Sequence, residues 1–76
     1  MNKARRARIR EHQEALESLK QEIEEILTEE ESALENLPDS LQESSRAEAG
    51  QAAIDALQEA LDGLDEVLVS LTEAAA

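Results

Sequence analysis

A chain of 76 residues with 19 acids against seven Lys and Arg, no cysteine and no aromatic residue carries a formal net charge of −12 and has material for one small core. That composition excludes a disulfide framework and a thiolate metal site, and it offers no run of about 18 apolar residues to cross a membrane. A domain this small seldom stabilises itself alone, so self-association is the expected remedy.

The chain opens on "MNKARRARIR", where Lys3, Arg5, Arg6, Arg8 and Arg10 stand without an acid among them. Glutamates follow rather than an apolar segment of the kind found in secretory leaders, which predicts a cytoplasmic protein. Five cations at the start of a helix oppose its dipole. A returning second helix would bring Asp65, Glu66 and Glu73 beside them, so the basic head is expected to dock on those acids, or, left free, to serve as a partner-binding arm.

Residues 3–36 read as the first helix, with Ile9, Leu16 and Ile23 at heptad position a, and Leu19, Ile26 and Ala33 at d. Leu27 and Leu34 join at e, so the stripe drifts, and Glu30, which falls on the a register, is expected at its edge with its carboxylate in water. His12 also falls at d. A lone His without Cys or a Glu-x-x-His spacing makes no recognisable zinc or di-iron site, and packing at the bundle end is its expected role.

The pattern breaks over "ENLPDSLQESSRAEAG". Pro38 removes an amide donor and biases Leu37 away from helix, which stops the first helix near Asn36. Two capping boxes, Ser40-x-x-Glu43 and Ser45-x-x-Glu48, compete for the next start. A helix unbroken from Ser40 would turn Leu41 away from the seam, so the spacing predicts a junction over 37–44, with a short turn that folds Leu37 and Leu41 over the bundle end. The long helix then begins at Ser45. Ser44, Ser45 and Arg46 would gather at its N-terminus, where free amides favour an anion, and Ser40 and Gln42 complete the polar set. Ordinary capping, with Arg46 paired to Glu43 or Glu31, is the simpler account of the same residues.

The second helix, over 45–74, is strictly patterned: Ile54, Leu57, Leu61, Leu64, Leu68, Leu71 and Ala75 alternate between a and d. Ala47 and Gly50 extend the series backward, and Ala53, Ala60, Val67 and Ala74 line the neighbouring g flank, where small residues allow close approach. The reading is all-α: an antiparallel two-helix hairpin that dimerises into a four-helix bundle. Its seam draws on Leu16, Leu19, Ile23, Ile26 and Leu34 from the first helix and on Ile54, Leu57, Leu61, Leu64, Leu68 and Leu71 from the second.

The basic start, the coil "ALESLKQEIEEILTEEE", the junction quoted above and the coil "AIDALQEALDGLDEVL" together resemble a group of small, mostly uncharacterised proteins encoded by phages and prophages. The resemblance implies a phage origin and an inhibitor or adaptor of host machinery, without catalytic residues to carry over.

Composition and pattern point the same way. The acids line helix faces rather than desolvated pairs, and His12 lies at the far end of the hairpin from the junction serines, so no enzyme and no cofactor is expected. An acidic body repels nucleic acid and anionic membrane and favours a partner with a basic surface, such as a host protein that grips a phosphate backbone. Sequestration of a small anionic ligand, a nucleotide included, at the junction is the alternative, and a structural coiled-coil adaptor stands beneath both.

Overall fold

The computed structural model describes all 76 residues and is a helical hairpin without strands: α1 spans Lys3–Glu35, α2 spans Ser45–Ala74, and a 3-10 turn at Asp39–Leu41 lies between them. Asn2 caps α1, its side-chain oxygen accepting from the Arg5 amide at 2.8 Å. No acid occupies the first turn to offset the basic head. At the other end the Asn36 amide donates to the Ser32 carbonyl at 3.0 Å, and Pro38, at φ −56° and ψ 148°, turns the chain out of the helix.

The second helix starts at Ser45 as expected, and only its capping residue differs. Ser44, rather than Ser45, caps α2: its hydroxyl accepts from the Ala47 amide at 3.4 Å and donates to the Leu41 carbonyl at 2.5 Å. The Ser44 amide donates to the same Leu41 carbonyl at 3.1 Å, so the 3-10 turn runs directly into the cap, and the Ser45-x-x-Glu48 box does not form. Leu37 and Leu41 are half-buried at this end of the rod.

Two cross-links set the register of the helices. Gln13 Nε2 donates to Thr72 Oγ1 at 2.8 Å, and Lys20 Nζ reaches Asp65 Oδ1 at 2.5 Å. Seven residues forward on α1 therefore match seven back on α2, as an antiparallel pair requires. The same register carries Leu34 to Gly50, where an added methyl group would sit 3.4 Å from Leu34 Cδ1. It also carries Ile9 to the end of the chain, so Lys3, Arg5, Arg6 and Arg8 project past the last turn of α2 by roughly 9 Å at 1.5 Å per residue.

The seam of α2 follows the a/d series. Ala47, Ile54, Leu68 and Ala75 are buried, all at a, and Leu57, Leu61, Leu64 and Leu71 are half-buried. The seam of α1 does not follow its own. Its shielded residues are Arg6, Ile9, Gln13, Leu16, Lys20, Ile23, Leu27, Glu30 and Leu34, which are positions a and e. The d residues face away: Leu19 is 52% exposed and Ile26 is 51% exposed, and His12 and Ala33 are exposed as well. The reason lies in the facing row of polar groups. Gln13 and Lys20 at e meet Thr72 and Asp65 at e of α2, and those links rotate α1 away from its d stripe. His12 accordingly is not a packing residue of the hairpin.

Four buried residues make a thin core, and backbone terms therefore matter. Gly63 lies on the outer face of α2 with open space where a side chain would begin. Gly63→Ala is expected to raise stability by about 0.5–1 kcal/mol through helix propensity alone, read from the midpoint of chemical unfolding. Gly50→Ala gains less, since Leu34 and Glu30 already stand against that position.

Candidate interaction surfaces

The register gives the rod two unlike broad sides. Along one edge run Gln13, Lys20, Asp65 and Thr72, a polar line closed by a hydrogen bond and an ion pair. Lys20 Nζ also stands 3.9 Å from Glu24. The hydrogen bond to Asp65 raises the Lys20 pKa above its usual 10.5, partial desolvation works against it, and the charges of Asp65, Glu24 and Glu17 add to the rise. A cation whose folded pKa is raised contributes stability below its unfolded pKa and loses it as the pH climbs through the folded one. The stability gap between the wild type and Asp65→Asn is therefore expected to hold from neutral pH to about 10.5 and to close above it, measured by thermal unfolding across that range.

The opposite side carries most of the exposed apolar residues. In an antiparallel pair the e positions of both helices share one side, and the d and g positions share the other. A groove near the junction displays this directly, for Ala33 at d of α1 lines it together with Gly50 at d and Arg46 at g of α2. Leu19, Ile26 and Ala33 thus lie on the same side as Leu57, Leu64 and Leu71, with Ala60 and the exposed Val67 beyond them. Apolar residues gathered on one side of a small chain, here bordered by Glu22 and Glu29 at g of α1, mark a candidate place of contact.

The groove itself, of about 320 Å³, is lined by Glu30, Ala33, Leu34, Leu37, Arg46 and Gly50. Arg46 has no acid within ion-pair distance, neither Glu43 nor Glu31, so the pairing expected of it is absent. The serines expected beside it are elsewhere. Ser44 spends its hydroxyl on the cap and the Leu41 carbonyl, Gln42 donates to the Leu37 carbonyl at 2.6 Å, and Ser40 and Ser45 are exposed away from the groove. Glu30, half-buried with its stem in the seam, places its carboxylate in the groove instead, which opposes a purely anionic occupant. The sequence reading missed Glu30 and Gly50 as companions of Arg46, a pairing that only the α1–α2 register reveals.

The basic head also departs from expectation. None of Lys3, Arg5, Arg6, Arg8 and Arg10 makes an ion pair, because the register carries most of them past the acidic close of α2 instead of alongside it. Arg6 Nε is shielded from water and has no hydrogen-bond partner. His12 shares a shallow surface there with Met1, Arg5, Arg8 and Ile9. No group of three or more His, Asp or Glu is arranged to hold a metal ion.

Charge is sorted along the rod. Residues 1–21 and 65–76, which lie side by side, hold six acids and six bases, whereas residues 22–64 hold thirteen acids and Arg46 alone. The whole net charge of −12 therefore resides in the junction half. No helix is long and apolar enough to cross a membrane. Comparison with protein-family models, with curated proteins and with solved structures finds no significant match.

Proposed function

We propose that the chain is a non-enzymatic interaction protein whose hairpins pair through their apolar sides into a four-helix bundle, and whose acidic junction half occupies a basic, nucleic-acid-handling surface of another protein. The observation that carries the reading is the segregation of charge: thirteen acids against one base over residues 22–64, all but the half-buried Glu30 open to water. A rod 59 Å long with carboxylates spaced along it offers a basic groove the charge that a phosphate backbone would offer. For a phage-encoded protein, which the sequence resembles, the partner is a host protein of the cytoplasm, and the outcome is inhibition.

The test is capture of partners from host lysate, followed by competition. A nucleic-acid-handling protein should be retained, should be displaced by duplex DNA, and should lose affinity steeply with salt. Glu24→Lys combined with Glu25→Lys and Glu29→Lys should abolish retention while leaving helix content unchanged. Retention that ignores both salt and these substitutions overturns the reading.

A second reading is favoured by the unpaired Arg46 in the junction groove: sequestration of a small ligand with an anionic edge and an apolar body. Arg46→Ala is expected to change stability by at most about 1 kcal/mol, as for any exposed charge, and to abolish ligand-induced thermal stabilisation if the groove is a site. Equal stabilisation of Arg46→Ala and wild type by a bound nucleotide excludes the groove.

A further inference from the structure

We infer that two copies of the chain pack head to junction, apolar side against apolar side, so that the basic head of each lies along the acidic junction half of the other. The inference rests on the self-association proposed above and adds its face and its direction.

The face is set by what the hairpin leaves open. Leu19 and Ile26 stand about half exposed, although they occupy the d positions of a heptad that a buried seam would use. Leu57, Leu64 and Leu71 are only half-buried on the same side, while four of the five a residues of α2, Ala47, Ile54, Leu68 and Ala75, are buried and Leu61 is half-buried. The two helices therefore complete the seam between them and leave a second stripe on each without a partner. A whole broad side of 59 × 15 Å sets an upper bound of roughly 900 Å² on what one copy can cover, so most of its length must engage to reach the about 800 Å² that each partner contributes to a standard interface. The polar side cannot serve, for its Lys20–Asp65 and Gln13–Thr72 links are already closed within one copy.

The direction is set by charge. Side-by-side packing with heads together would place two junction halves, each with a net charge of −12, against one another, and would gather ten head cations at the other end. Head-to-junction packing brings Lys3, Arg5, Arg6, Arg8 and Arg10 of each copy level with the partner's acidic half, around Glu31, Glu35, Asp39 and Glu43 of this sequence. The head suits that role because it overhangs α2 and none of its cations has a partner in its own hairpin, Arg6 Nε included. Charge of this kind chooses orientation more than it adds affinity.

The chain has no cysteine, so a nitroxide on Ala7→Cys, an exposed position of the head, reports on direction without background. Head-to-junction pairs should give a dipolar distance of about 40 Å, the axial span from Ala7 to the level of Glu35 at 1.5 Å per residue. A distance on the order of 20 Å, about two interhelical spacings, would mean heads together and overturn the inference while leaving self-association intact. No dipolar coupling at all would mean a monomer, and would overturn both this inference and the self-association on which it rests. Reversing the head with Arg5→Glu and Arg8→Glu should weaken the wild-type dimer by about tenfold or more at low salt, and the difference should shrink at high salt. An unchanged dissociation constant would remove charge as the cause of the direction.

Discussion

Under the proposed pairing, Ile26→Asp is expected to keep the chain monomeric at concentrations where the wild type associates. Ile26 is 51% exposed in the hairpin, so a carboxylate there costs a single copy little. Placed in the middle of an apolar interface, the same carboxylate is stripped of water without a partner, at a cost of several kcal/mol. Twofold symmetry counts the change twice, and at about 1.4 kcal/mol per tenfold the dissociation constant should rise more than about 100-fold. Sedimentation equilibrium decides it. If association adds to so small a core, the wild-type melting temperature should fall on dilution, and that of Ile26→Asp should start low and not move. A variant that remains dimeric would place the interface elsewhere.

Leu68→Asp is expected to have a different and larger consequence, the loss of the hairpin itself. Leu68 is 8% exposed at an a position, where the two helices close on each other, and its nearest polar neighbours along the helix are Asp65 and Thr72, both already engaged with α1. An unpaired charge there costs several kcal/mol against a core of four buried residues, which exceeds what such a core supplies. Helix content by circular dichroism should collapse at every protein concentration. Val69→Asp is the control, one residue on and 58% exposed, and it should change stability by no more than about 0.5 kcal/mol.

The contrast between the two helices explains how much of this the sequence reveals. In α2 the unbroken a/d series faces α1, and the other large apolar residues, Val67 at g and Val69 at b, stay exposed. In α1 the positions a, d and e all carry apolar residues, and nothing in the sequence of α1 alone says which pair its partner will take. Gln13 and Lys20 decide it by finding Thr72 and Asp65, a choice visible only once the register is known. The same register carries most of the basic head past the last turn of α2, where a shift of one heptad would have set Glu73 level with Arg5.

Ser44 and Ser45 pose the problem in miniature. Either can cap a helix, and the 3-10 turn ending at Leu41 selects the first. The groove around Arg46 is half legible, because Arg46 stands out as the sole base of the acidic half, whereas Glu30, Leu34 and Gly50 join it only through folding. The sorting of charge is hidden for the same reason: the thirteen acids come from both sides of the junction and merge into one end when the chain folds back on itself.

The antiparallel fold with its single connection at the junction leaves Met1 and Ala76 at one end of the rod. Tension applied between the two termini therefore peels the helices apart from the open end, and each layer of the seam bears the load alone before passing it to the next. Tension between the junction and either terminus runs along the rod, where every layer resists together. A cargo tethered through both termini would open this hairpin at low force, whereas one pulling on the junction against a terminus would find it stiff.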